Sequence, residues 1–112
     1  MIRQRILDQL KESDDDPIAG PAKDAVLRFA TFYAERFPDG PAPSAFVGED
    51  GGGVIIIQNH QNKKRLTIRV SATGNRYDIS RVFYGRPEPM VFIGKTVTTM
   101  GIEGLRSFLD WV

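Results

Sequence analysis

The chain has no cysteine, one histidine and one tryptophan among its 112 residues. Without thiols there is no disulfide, no thiolate nucleophile and no cysteine-held metal, which fits a reducing compartment, so the cytoplasm is the expected location. No apolar run approaches the roughly 18 residues needed to cross a bilayer. The amino-terminal Ile2-Arg3-Gln4-Arg5-Ile6-Leu7-Asp8 is broken by charge too early for a secretory signal core. No membrane association is expected.

Catalytic and ligand motifs are equally scarce. His60 sits in the polar run Asn59-His60-Gln61-Asn62-Lys63 with no carboxylate nearby in sequence to orient its ring, and reads as a solvated turn residue. Asp14, Asp15 and Asp16 supply hard oxygen atoms, but consecutive residues cannot all converge on one ion, and the spacing of a calcium loop is missing. They read as a solvated linker. Gly51-Gly52-Gly53 precedes an apolar run, whereas phosphate-cradling loops follow a strand and open a helix. These are turn glycines. No cofactor and no metal are expected, and a non-enzymatic protein is the leading expectation.

What the chain does have is a division of charge. Residues 1–50 carry 6 Lys+Arg against 10 Asp+Glu, a net −4, and residues 51–112 carry 9 against 4, a net +5. Over 54–98 the cations Lys63, Lys64, Arg65, Arg69, Arg76, Arg81, Arg86 and Lys95 face only Asp78 and Glu88, a net +6. Such asymmetry signals either a charged partner or two halves that attract each other on folding.

Periodicity divides the chain at the same place. Ile2, Ile6, Leu7 and Leu10 predict a short amphipathic helix over 2–12 that fails at Ser13-Asp14-Asp15-Asp16-Pro17. Gly20-Pro21 opens a second helix, with Ala22, Ala25, Val26, Phe29, Ala30, Tyr33 and Phe37 on one face, Leu27 and Ala34 on another, and an Asp24–Arg28 pair outside. Pro38 ends it. After a Pro/Gly connector, Ser44–Gly48 predicts a short strand centred on Ala45, Phe46 and Val47, and Val54–Asn59 a full strand. Arg65–Ser71 alternates, with Leu66, Ile68 and Val70 inward and Arg65, Thr67 and Arg69 outward. Further strands are expected over Arg76–Tyr84 and Met90–Thr98. Ile102, Leu105, Phe108, Leu109 and Val112 stripe a C-terminal helix capped by Thr99.

Together these predict one α+β domain over 1–112: N-terminal helices, an antiparallel β-meander of 4–5 strands, and a C-terminal helix packed on one sheet face. At this length the domain buries roughly two-thirds of the surface of its unfolded chain.

The segment from Pro41-Ala42-Pro43 to Val70 resembles a loosely defined group of small bacterial proteins. In these a helix is followed by a proline-rich connector, an Asp-Gly-Gly turn, an apolar strand and a second strand of alternating basic and apolar residues. The matching residues are Pro43, Asp50, Gly51, Gly52, Val54, Ile56, Leu66, Ile68 and Val70. Where the group often continues its first strand with Glu-Trp, this chain has Ile57-Gln58. The resemblance implies the fold and no activity.

Function is therefore sought on the basic meander. Its candidate binding residues are Lys63, Lys64, Arg65, Arg69, Arg76, Arg81 and Arg86. Trp111 lies off the C-terminal stripe, either as an interface anchor or as a ring folded back over the core edge. The leading expectation is a small antitoxin-, immunity- or inhibitor-like protein that binds an acidic protein surface. The alternative is a single-stranded nucleic-acid binder that stacks bases on Tyr77, Phe83, Tyr84 and Phe92. An unrecognised enzyme is third. An edge strand containing Val91-Phe92-Ile93 also offers a route to a homodimer.

Overall fold

The computed structural model describes residue 6 and residues 20–48, 51–84 and 90–112. Helix α1 (Gly20–Arg36) is followed by β1 (Ser44–Val47), β2 (Gly53–Asn59), β3 (Lys64–Val70), β4 (Arg76–Phe83) and β5 (Met90–Thr98). A 3-10 segment (Thr99–Leu105) then leads into the short helix α2 (Arg106–Trp111). The five strands form one antiparallel sheet in chain order, β1-β2-β3-β4-β5.

Two N-terminal helices were expected and one is found among the described residues. The expected first helix, 2–12, lies outside them except for Ile6, which is helical and fully buried in the core. Helix α1 buries the predicted stripe Ala22, Ala25, Val26, Phe29, Ala30 and Tyr33, and buries Phe32 as well. Leu27 packs partly against the core. The rings of Phe29, Tyr33 and Phe37 stack in series, with centroids 5.8 and 5.5 Å apart. Asp24 and Arg28 form no ion pair among the described residues. Arg36 instead reaches Glu103 of the 3-10 segment at 2.7 Å, tying the end of α1 to the C-terminal region.

Ile55 and Ile57 of β2, Leu66, Ile68 and Val70 of β3, and Tyr77 and Ile79 of β4 point toward α1. They meet Leu105, Leu109 and Val112 there, so α1 and the C-terminal region cover the same sheet face. Tyr77 donates its phenolic proton to the carbonyl of Ala25 at 2.7 Å, and Tyr33 donates to the carbonyl of Pro41 at 2.6 Å. Burial pushes both phenols up to about 12, Arg28 offsetting part of the rise at Tyr77.

Three turns fix the register. Gly51 has φ +83° in the β1–β2 turn, where Gly48 N–H donates to Gly52 O. At the β2–β3 tip the side-chain oxygen of Asn59 accepts from the amides of Gln61 and Asn62, both at 3.1 Å. In the β3–β4 turn Ser71 Oγ accepts from the amides of Asn75 and Arg76, and Gly74 has φ +70°. A Cβ on Gly74 would collide with the main chain of Pro21, so this turn lies against the start of α1 and only glycine fits.

The C-terminal segment differs from expectation in its first turns. Thr98, not Thr99, is the cap, its Oγ1 accepting from Gly101 N at 3.2 Å. The segment runs as 3-10 helix with a kink at Gly101 (φ −97°, ψ 36°) before α2 begins. Two glycines in seven residues make a regular α-helix costly there, and 3-10 turns serve as short connectors. Gly104 also lets the segment approach β5, since a Cβ there would stand 3.3 Å from Val97.

Candidate binding face of the sheet

Strand alternation divides the basic residues into two groups. Register sets Val54 opposite Arg69, Ile56 opposite Thr67 and Gln58 opposite Arg65, and continues to Asp78, Ser80 and Val82 on β4. These side chains lie on the face away from α1, on which no described element packs, although Val82, directly opposite Arg65, is buried at 8% exposure. Arg65, Arg69 and Arg76 belong to this open face. Lys64 and Arg81 do not, because Lys64 shares the face of Leu66 and Arg81 stands directly opposite Leu66.

The second group grips the C-terminal helix. Lys64 Nζ donates to the carbonyl of Trp111 at 3.0 Å and lies 5.0 Å from the centre of its ring. The Arg81 guanidinium is 5.4 Å from the Phe108 ring and 5.7 Å from that of Trp111. Asn59 Nδ2 adds a bond to the main-chain oxygen of Val112 at 2.8 Å. Cations facing the covered side are tolerated here because their stems pack along apolar surface while their heads sit over aromatic faces. Trp111 thus folds over the core edge, half-buried against it. Lys63 is exposed at the β2–β3 tip with φ 55°, beside exposed His60. Arg86 and Asp14–Asp16 lie outside the described residues.

On the open face, Arg76 pairs with Asp78 at 3.4 Å, and Asp78 also accepts from Thr96 Oγ1 at 2.7 Å. Arg69, exposed and directly across from Asp78, makes no ion pair among the described residues. Arg65 Nε is shielded from solvent and has no hydrogen-bond partner. Near the β1–β2 and β3–β4 turns the face dips into an open cleft of ≈ 530 Å³ lined by Val47, Val54, Arg69, Ser71, Arg76 and Asp78 among others.

Phe46 is an unexpected member of this face. The sequence placed it with Ala45 and Val47 at the centre of a strand, but Ala45 is buried whereas Phe46 is 49% exposed. It stands opposite Val54, with half-buried Ile56 nearby. The signal was available, because folding the chain about Gln61-Asn62 sets Val54 opposite Arg69, and therefore outward. The all-apolar run Val54-Ile55-Ile56-Ile57 hides that alternation.

The aromatic residues read as a stacking platform are placed otherwise. Tyr77 is buried with its hydroxyl on Ala25, Phe83 is half-buried, and Tyr84 is half-buried with its hydroxyl 3.5 Å from Asn59 O. The side chain of Phe92 is outside the description. Among the described residues no cluster of three or more His, Asp or Glu could hold a metal ion, and no helix is long and apolar enough to cross a membrane. No protein-family model matches the chain, and no curated protein or solved structure matches it either.

Proposed function

We propose that this chain is a non-enzymatic binding protein, of antitoxin, immunity or inhibitor type, that docks an acidic protein surface on the open face of its sheet. The observation that carries the reading is the composition of that face. Arg65, Arg69 and Arg76 oppose one described acid, Asp78, and border the exposed Phe46 and half-buried Val54 and Ile56. Interfaces combine aromatic and arginine contacts in this way, and complementary charge steers the encounter. Phe46 is the sole aromatic among the described strand residues of the face, which favours a protein over single-stranded nucleic acid, whose binders stack successive bases.

The test is quantitative capture from the native host with the intact chain and with Arg65→Glu/Arg69→Glu. The wild type is expected to retain a protein that elutes as salt rises and that the folded double variant does not hold. Equal retention by both overturns the reading. So does micromolar, steeply salt-dependent binding of random 20-nucleotide single strands in an anisotropy titration, which would move the face to the nucleic-acid class.

A further inference from the structure

Resting on that reading, we infer that the occupant of the open face is an amphipathic α-helix carrying two carboxylates seven or eight residues apart, laid along the seam between β2 and β3. Three features of the face lead to this. The first is its division into two parallel strips. Phe46, Val54 and Ile56 form an apolar strip on β1 and β2, and Arg65, Thr67 and Arg69 form a polar, cationic strip on β3, with Val54 and Arg69 directly opposite each other. A complementary surface has an apolar stripe beside an acidic one, which a helix supplies from adjacent arcs.

The second is backbone accounting. β2 and β3 are interior strands whose main-chain groups are taken up by ladders on both sides. An extended peptide lying across them would find no main-chain donors or acceptors to pair with. A helix satisfies its own backbone and needs only side-chain contacts.

The third is spacing. Arg65 and Arg69 are four residues apart on one strand, about 13 Å at roughly 3.3 Å per residue. At about 1.5 Å per residue, positions i and i+8 of a helix are about 12 Å apart, and i+7 is within the reach of an arginine. β3 has seven residues and so runs about 23 Å, the length of roughly 15 helical residues. Arg69 makes no ion pair among the described residues, and Arg65 Nε is already shielded without an acceptor. Exposed Arg69 takes a carboxylate directly, whereas at half-buried Arg65 the covered Nε is out of reach and a carboxylate meets only the terminal guanidinium nitrogens; neither contact displaces an ion pair among the described residues.

A second copy of this chain does not fit face to face, since its cationic strip would meet either the other cationic strip or, turned about an axis along the strands, the apolar one.

The test is selection of 16-residue peptides from a phage-displayed random library against the full chain. The enriched sequences are then synthesised and titrated by anisotropy. The expected result is a helical consensus with Asp or Glu at i and i+7 or i+8 beside an apolar stripe. Its affinity should fall at least about tenfold with Arg69→Glu, with Arg65→Glu, and with Phe46→Ser on the apolar strip. Arg69→Gln serves as a second variant if charge reversal perturbs folding. An enriched consensus without the acidic pair, or no enrichment, overturns the helix inference while leaving the open face as a docking surface. Peptides whose binding is indifferent to Arg65, Arg69 and Phe46 overturn both.

Discussion

On the covered face of the sheet, Lys64 and Arg81 lie over the rings of Trp111 and Phe108 and hold the C-terminal helix. On the open face, Arg65 and Arg69 hold nothing among the described residues. Lys64 and Arg65 are adjacent in the chain, so their difference owes nothing to local composition. It follows from the period of a strand, which sends successive side chains to opposite faces. A cation over an aromatic ring contributes roughly 0.5–2 kcal/mol to folding, while an exposed arginine such as Arg69 contributes about zero. A net charge of +6 on a stretch of sequence is therefore not a patch. Two of its members are used internally, and three remain on one surface.

The comparison breaks most readily in the core. Ile68→Ala removes a fully buried side chain beneath α1 and should lower stability by about 2–5 kcal/mol. Thr67→Ala, one residue away on the open face, should change it by less than about 0.5 kcal/mol. Urea unfolding of the two variants measures this. Comparable losses would mean that the open face is packed, and the division of the sheet would fall.

Alkaline pH tests the covered side next. Tyr33 and Tyr77 are held protonated by burial, so their folded values lie above the ordinary value of 10.0, at about 12. Their contribution to stability is complete below pH 10 and is lost as pH rises toward 12, because the unfolded chain ionises first. The absorbance of tyrosinate should therefore appear together with loss of tertiary structure. Free titration of both phenols near pH 10 in the folded protein would contradict their burial.

The smallest effect sharpens the comparison between the two sets of cations. Lys64→Met and Arg81→Met should each cost about 1 kcal/mol and shift the emission of Trp111, the single tryptophan. Arg65→Met should leave both stability and emission where they were. A shift with Arg65→Met as large as with Lys64→Met would place the open-face arginines in the C-terminal clamp.

Much of this was legible in the sequence because the signals were local. The alternation of Leu66, Ile68 and Val70 fixed the faces of β3, and the helical period of Ala22 to Tyr33 fixed the buried side of α1. Less legible was anything that depended on pairing between strands. Val54 to Ile57 shows no alternation, so the face to which Phe46 belongs was not legible until register placed it opposite Val54. Lys64 and Arg81 were grouped with the outward arginines because sign of charge says nothing of face. The 3-10 start of the C-terminal region was missed for a related reason, since Ile102, Leu105 and Leu109 fit a helical stripe whether or not Gly101 interrupts it.

The last strand carries a detail with wider reach. β5 pairs Thr96 with Asp78 but Ile93 with Ser80, so Gly94 and Lys95 together stand against Ile79 in a bulge. β5 is also the longer of the two edge strands, nine residues against four in β1. An edge of that length invites another chain to add a strand, the route by which sheets aggregate or dimerise. The bulge divides the edge into Met90–Ile93 and Thr96–Thr98 and deepens the local twist, so an incoming regular strand loses register partway along. The edge with the most backbone to offer is thus interrupted at the point where an added strand would need continuity.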